Sequence, residues 1–164
     1  MINLEISDSI KNRASQKAAE MGKLKNSITS GKGNFVGFLG EELVSEYLQA
    51  RIENTKDYDI VLCGLRYDVK TKTTKKPPQL NYDCSIAAYN TVQKCDGYIF
   101  VRIEMEGEEC KCGWILGWLP KEEYFEKAVY WPKNKYDPSN GYRVKASCYN
   151  VKIHELRSVE ELKC

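Results

Sequence analysis

Hydrophobic and polar residues alternate along residues 58–73, and the alternation predicts a β-hairpin. Strands near 58–63 and 65–73 flank Cys63-Gly64, a pair suited to a two-residue turn. This turn pairs Leu62 with Leu65 and, further from the turn, Asp59 with Asp68. Because side chains alternate between the faces of a strand, one face is apolar and the other is polar. The apolar face carries Tyr58, Ile60, Leu62, Leu65, Tyr67 and Val69. The polar face carries Asp59, Val61, Arg66, Asp68 and Lys70.

In the rest of the chain, the spacing of the apolar residues predicts further helices and strands. The predicted helices are 8–25, 35–51, 84–95 and 121–129. The predicted strands are 98–104, 113–119 and 148–153. Residues 28–33 are predicted to form a flexible joint, and residues 130–141 an aromatic, turn-rich loop. Strands that alternate with helices are typical of an α/β fold.

The helix at 35–51 has the strongest helical periodicity, because its apolar residues recur at steps of three and four. Gly37 and Gly40 allow another backbone to approach closely, although each lowers helix propensity. Glu41 lies beside the apolar stripe and is expected to point inward, whereas Glu42 is expected on the solvent side. For either glutamate alone, a solvated surface residue is the more common situation.

Length and composition indicate a globular chain with one main domain. The chain has 164 residues, of which 42% are apolar and 29% are charged. Residues 1–33 are expected to form an N-terminal helix and its joint, and residues 34–164 a single domain. The net charge of +2 is too small to identify a partner.

Several classes of protein are disfavoured by what the sequence lacks. Its apolar runs are shorter than the roughly 20 residues of a membrane span, and the first residues do not resemble a signal peptide. The seven cysteines are odd in number and scattered, which favours free thiols and a cytoplasmic location. His154 is the single histidine and is expected at the surface, so histidine-dependent hydrolysis is disfavoured.

The acidic pair on the polar face of the hairpin is the main candidate for chemistry. Asp59 and Asp68 would face each other with Cβ atoms about 5 Å apart, and two carboxylates at that distance repel. A divalent cation such as Mg²⁺ would relieve the repulsion. Lys70 follows on the same face, which is the layout expected for metal-assisted phosphodiester hydrolysis. The alternative is an ordinary solvated face with incidental charges.

A basic cluster directly follows the hairpin. Lys72, Lys75 and Lys76 adjoin the acidic pair. Such clusters are usually solvated loops, but next to a metal site they would also suit contacts to DNA phosphates.

The order of these features resembles the PD-(D/E)XK nuclease superfamily. The matching residues are Gly40-Glu41 in the helix, Tyr58-Asp59-Ile60 at the first strand and Asp68-Val69-Lys70 in the second. The resemblance covers residues 34–104. It implies a restriction-endonuclease-like αβββαβ core, in which helices flank a mixed sheet, here with an extra N-terminal helix.

The resemblance also implies a function and a role for each matching residue. The family hydrolyses nucleic-acid phosphodiesters with Mg²⁺ or Mn²⁺. By position, Asp59, Asp68 and the Val69 carbonyl would bind the metal, and Glu41 would complete the site directly or through water. Lys70 would orient or activate the attacking water. The expected partner is DNA, not a membrane, and cleavage of both strands would favour a homodimer.

Two departures from the family pattern limit the resemblance. Tyr58 stands where many members have proline, and Gln93 and Tyr98 do not have the spacing found in the RecB-like exonuclease branch. The small chain is closer in size to stand-alone endonucleases such as junction resolvases or phage enzymes. Two alternatives stay open: a non-catalytic nucleic-acid-binding domain with the nuclease fold, and an unrelated α/β enzyme.

Overall fold

A computed structural model describes residues 1–21, 32–138 and 141–164, and these residues form an α/β fold around a curled mixed sheet. The helices are α1 (Asp8–Met21), α2 (Lys32–Leu48) and α3 (Lys121–Lys127). The strands are β1 (Ile2–Glu5), β2 (Arg51–Ile52), β3 (Ile60–Leu62), β4 (Leu65–Thr74), β5 (Asp83–Ala87), β6 (Gly97–Glu106), β7 (Glu109–Pro120), β8 (Val129–Trp131), β9 (Tyr136–Asp137), β10 (Tyr142–Arg143) and β11 (Cys148–Lys152).

The main sheet has the strand order β1-β7-β6-β4-β3-β2. Its strands pair antiparallel except for β4 and β6, which are parallel neighbours at the centre. β3 pairs with β4 only from Leu65 to Tyr67. The remaining length of β4 therefore has β6 on one side and no strand on the other.

The predicted hairpin and its register are confirmed near the turn. Leu62 pairs with Leu65, and Ile60 pairs with Tyr67. Cys63 and Gly64 have φ angles of 49° and 81°, both in the left-handed region that a tight two-residue turn requires. Four of the six residues predicted for the apolar face are buried in the core beneath α2: Ile60, Leu62, Tyr67 and Val69. The ladder ends one pair short of Asp59 and Asp68.

Two layers cover the faces of the main sheet. α1 and α2 pack on one face, where Ile10, Leu43 and Ile99 belong to one buried cluster. The second face carries a small sheet of order β5-β11-β8 together with α3. Ile86, Phe100 and Tyr124 meet in the core between them.

The predicted helix at 84–95 is wrong. β5 occupies its first part, a short 3₁₀ turn follows at Ala88–Asn90, and β5 pairs along its whole length with β11. Burial alternates along β5, with Cys84 and Ile86 inside, as in a strand. The helix-forming alanines are outweighed by pairing with a strand more than 60 residues further along the chain.

Other predicted elements hold with smaller changes. β6, β7, α3 and β11 lie where strands and a helix were predicted. The predicted loop at 130–141 instead contains β9 and part of β8. Most of the predicted joint at 28–33 lies outside the described residues, as does the predicted helix beyond Met21.

Two side-chain predictions are corrected by the packing. Glu42 is buried, not solvated, because α1 covers it: Arg13 Nε lies 2.6 Å and Lys17 Nζ 2.5 Å from its carboxylate. Cys63 and Cys164 form a disulfide, so the prediction of free thiols is wrong for this pair.

Within the described residues, no helix is long and apolar enough to cross a membrane.

Candidate active site

The candidate active site lies where β4 loses its β3 neighbour. From Asp68 onward this edge of β4 pairs with no strand, so its backbone and side chains are available to other groups. Four side chains interact electrostatically there: Asp59 from the chain before β3, Glu41 from α2, and Asp68 and Lys70 from β4. The structure thus brings together the four side chains that the sequence predicted to act together.

Asp59 is fixed by the backbone of β4. Its own N–H donates to the Tyr67 carbonyl at 3.0 Å, and its Oδ2 accepts from the Val69 N–H at 2.7 Å. The carboxylate therefore lies beside the backbone of Val69. The sequence had predicted a position directly across from Asp68. Burial of the acidic group in this position is possible because a backbone donor partly satisfies it.

Glu41 reaches the site because α2 lies close to β4. A Cβ atom at Gly40 would collide with the Thr71 hydroxyl, so glycine is required for this approach. Glu41 is only 8% exposed, which confirms that it points inward. Its Oε2 is buried and has no hydrogen-bond partner among the described residues.

Asp68 and Lys70 form an ion pair that Gln93 supports. The Lys70 ammonium contacts Asp68 Oδ2, and both side chains are largely buried, at 19% and 5% exposure. Lys70 Nζ also donates to Gln93 Oε1 at 3.1 Å, while Gln93 Nε2 donates to Asp68 Oδ1 at 3.3 Å. Gln93 therefore fixes the relative position of the acid and the lysine.

Burial and mutual repulsion disfavour the ionised forms of two of the acids. Burial raises the pKa of the Asp59 carboxyl to about 8, and the charges of Asp68 and Glu41 contribute to the rise. Burial also raises the pKa of Glu41 to about 7, against the opposing effect of Lys17. A cluster of buried carboxylates with raised pKa values is typical of a functional site, although structural networks produce it too.

The cluster offers oxygen donors of the kind that a hard cation binds. The described residues contain no group of three or more acidic, cysteine or histidine side chains gathered for metal binding. The edge of β4 nevertheless gathers several oxygen donors: two aspartates, the unpartnered Oε2 of Glu41 and the backbone of Val69. Mg²⁺ retains several waters and often takes only one or two protein carboxylates, so this donor set fits it.

The three lysines predicted to contact nucleic acid have different environments. Lys72 is solvent-accessible, yet protein surrounds its ammonium, which donates to Ser85 Oγ at 2.7 Å. Lys75 and Lys76 are exposed beyond the end of β4, where Lys75 lines a groove of about 1340 Å³. All three remain candidates for phosphate contacts.

Two residues near the site had no role in the sequence prediction. Gln93 was considered only for its spacing to Tyr98, yet it touches Asp68 and Lys70. Arg102 lies beside Lys72 in the register of β4 and β6. Arg102 interrupts the apolar run of residues 98–103, and this is the sequence signal that could have identified it.

Comparisons with known proteins return no matching family model and no significantly similar curated protein. The structure itself establishes the α/β class.

Proposed function

We propose that the protein is a metal-dependent nuclease that hydrolyses DNA phosphodiester bonds at the edge of β4, as an endonuclease on a restriction-endonuclease-like core. The observation that carries the proposal is the cluster of Glu41, Asp59 and Asp68 beside Lys70. Three carboxyl groups in one enclosed place destabilise each other, and a divalent cation would reverse that effect. The sheet and α2 support the family resemblance, whereas the missing helix at 84–95 is a departure from it.

Each residue of the cluster has a role in this reaction. Asp59, Asp68 and the Val69 carbonyl would bind Mg²⁺ or Mn²⁺, and Glu41 would complete the site directly or through water. When bound, the cation stabilises the negative charge that develops on the phosphate. Lys70 holds the attacking water or stabilises the developing charge with its ammonium. Gln93 positions Lys70 against Asp68.

Charge supports DNA as the substrate. Lys72 and Lys75 follow Lys70 along β4 and its extension, and Lys76 comes next. Ammonium groups in such a row suit contacts to successive phosphates, which give affinity without reading sequence. Hydrolysis of both strands of a duplex would need two sites, which favours a homodimer.

A non-catalytic DNA-binding domain is the second candidate. The ion pair between Lys70 and Asp68 favours it, because Lys70 neutralises the acid without any metal. In that case the cluster would hold the hairpin together and the lysines would still contact phosphates.

Cleavage of a substrate panel separates the two candidates. Linear duplex, nicked duplex, four-way junction and single-stranded DNA are incubated with Mg²⁺, Mn²⁺ or EDTA. The nuclease proposal predicts products with either metal and none with EDTA, and the panel identifies the preferred structure. Binding of DNA without products in any metal condition would support the non-catalytic domain.

A further inference from the structure

A cleft of about 250 Å³ lies next to the candidate active site, between the main sheet and β5. Its basic lining comes from Lys70, Lys72 and Arg102. Lys72 on β4 and Arg102 on β6 are partners in the parallel register, so their side chains leave the same face of the sheet. The cleft therefore holds two adjacent cations in addition to Lys70.

Neutral groups, not acids, hold the two new cations in place. Lys72 donates to Ser85 Oγ at 2.7 Å, and Arg102 donates to the Asp83 carbonyl oxygen at 2.9 Å. Neither forms an ion pair with a carboxylate among the described residues. The Asp83 carboxylate instead pairs with Lys152 at 2.7 Å. Both cations retain N–H donors that these contacts do not use.

The closeness of the two cations makes the pair unfavourable without a counter-ion. Burial lowers the pKa of the Lys72 ammonium, and the charge of Arg102 lowers it further. Burial likewise lowers the pKa of Arg102. An anion bound between them would remove the repulsion and use the remaining donors, and Arg is well suited to contact two phosphate oxygens at once.

We propose that Lys72 and Arg102 together bind one phosphate of a nucleic-acid strand, adjacent to the phosphate that is hydrolysed beside Lys70. The proposal rests on the proposed function for the position of the second phosphate. Residues two apart on a strand are separated by about 6.6 Å, so Lys72 lies one such step from Lys70. The pair positions the strand and does not read its bases.

The surrounding surface shows where the strand would continue. The cleft shares Thr71, Lys72 and Arg102 with the larger groove that Lys75 also lines. Glu106 lies in that larger groove and pairs with Lys111. A strand bound beside Lys72 and Arg102 would therefore continue from the cleft into that groove, past Lys75.

The salt dependence of DNA binding tests the proposal without any cleavage. Fluorescence anisotropy in EDTA compares wild type, Lys72→Gln, Arg102→Gln and the double variant. One phosphate contact contributes a slope of about 0.9 in log K against log salt concentration. Because the two cations share one phosphate, the double variant should lose about one unit of slope, and each single variant less. Arg51→Gln is the matched control, since Arg51 pairs with Glu53 outside the cleft and should leave the slope unchanged.

Several outcomes would overturn the proposal. An unchanged slope in the double variant removes the site, and a loss of about two units shows two separate phosphates. Titration with inorganic phosphate, followed by the NMR signal of the Arg102 side chain, separates a strand from a free anion. Affinity for inorganic phosphate equal to that for the oligonucleotide would contradict a strand-binding role.

Two further comparisons keep the test decisive. If Arg102→Gln does not fold, Lys72→Gln alone should weaken binding about tenfold, since a hydrogen bond between charged groups is lost. If the variants change the salt dependence as expected but the wild-type protein never cuts DNA, the nuclease proposal is removed and the phosphate site is kept. Metal-dependent cleavage by wild type, with the salt dependence unchanged in the Lys72 and Arg102 variants, would remove the phosphate site and leave the nuclease proposal.

Discussion

The Asp59 carboxylate accepts a hydrogen bond of 2.7 Å from the backbone N–H of Val69. This bond fixes an acid from before β3 against the middle of β4, between Asp68 and Lys70. A strand partner would otherwise occupy that N–H, so the end of the β3–β4 ladder creates the site. The position of Asp59 is therefore set by backbone geometry.

A divalent cation should bind at this edge. Asp68→Asn removes one of the negative charges and should bind Mn²⁺ far more weakly than wild type, because carboxylates are the preferred ligands of hard cations. Isothermal titration calorimetry measures both affinities. Asp8→Asn is a suitable control, since Asp8 is highly exposed on α1 and should bind Mn²⁺ as wild type does. Equal affinities for Asp68→Asn and wild type would exclude this metal site.

The free energy of unfolding should depend on pH when no metal is present. The folded pKa values of Asp59 and Glu41, about 8 and about 7, lie above the ordinary values of 3.8 and 4.5 for these side chains. The folded state therefore binds more protons than the unfolded state between these limits, and its stability falls as pH rises from about 4 to about 8. Chemical denaturation across this range measures the trend.

Replacing one acid checks the origin of that pH dependence. Asp59→Asn removes the largest shift, so its free energy of unfolding should change less between pH 4 and pH 8. Saturating Mg²⁺ should also stabilise wild type more at pH 8 than at pH 5, because the cation binds the ionised carboxylates. A wild-type stability that rises steadily with pH would contradict the raised pKa values.

Lys70 should act on the chemical step and not on substrate binding. Its ammonium lies beside Asp68, where it stabilises charge that develops in the transition state. Lys70→Ala should bind DNA within a few-fold of wild type and cleave at least about 100 times more slowly. Single-turnover cleavage at saturating enzyme measures the rate.

A loop lysine provides the comparison for Lys70. Lys75→Ala should lose some affinity and keep its turnover, because Lys75 lies beyond the end of β4 in the outer groove. Turnover by Lys70→Ala at the wild-type rate would instead support the non-catalytic DNA-binding domain.

Gln93 should act through Lys70 and Asp68. Gln93→Ala loses the bonds that hold both side chains, and such supporting contacts typically change metal affinity or activity by about 10–100-fold. The cleavage rate and the Mn²⁺ affinity should both fall while the thermal midpoint stays near that of wild type. Gln79→Ala is the exposed control. A lower thermal midpoint with normal metal affinity would show a merely structural role.

Local pattern was sufficient to predict the hairpin and part of the site. Alternation and a two-residue turn determine the register of Ile60 with Tyr67, and helical spacing places Glu41 on the inner side of α2. These features depend on residues that are close in the sequence. The family resemblance then grouped Glu41 with Asp59, Asp68 and Lys70.

Long-range contacts account for what the sequence did not predict. β5 is a strand because β11 pairs with it, and Glu42 is buried because α1 covers it. Gln93 joins the site from the connection between β5 and β6, and Arg102 does so through strand pairing with β4. Residues close in the sequence specify none of these contacts, although Arg102 does interrupt an apolar run.

Single-turnover cleavage of DNA by wild type and Asp68→Asn, measured side by side in Mg²⁺ and in EDTA, tests the central claim most directly. Wild type should cut only with Mg²⁺, and Asp68→Asn should cut at least about 100 times more slowly while it still binds DNA. Equal metal-dependent rates for wild type and Asp68→Asn would place the chemistry elsewhere in the protein. A wild type that binds DNA but does not cut it in Mg²⁺ would contradict the proposal that the protein is a nuclease.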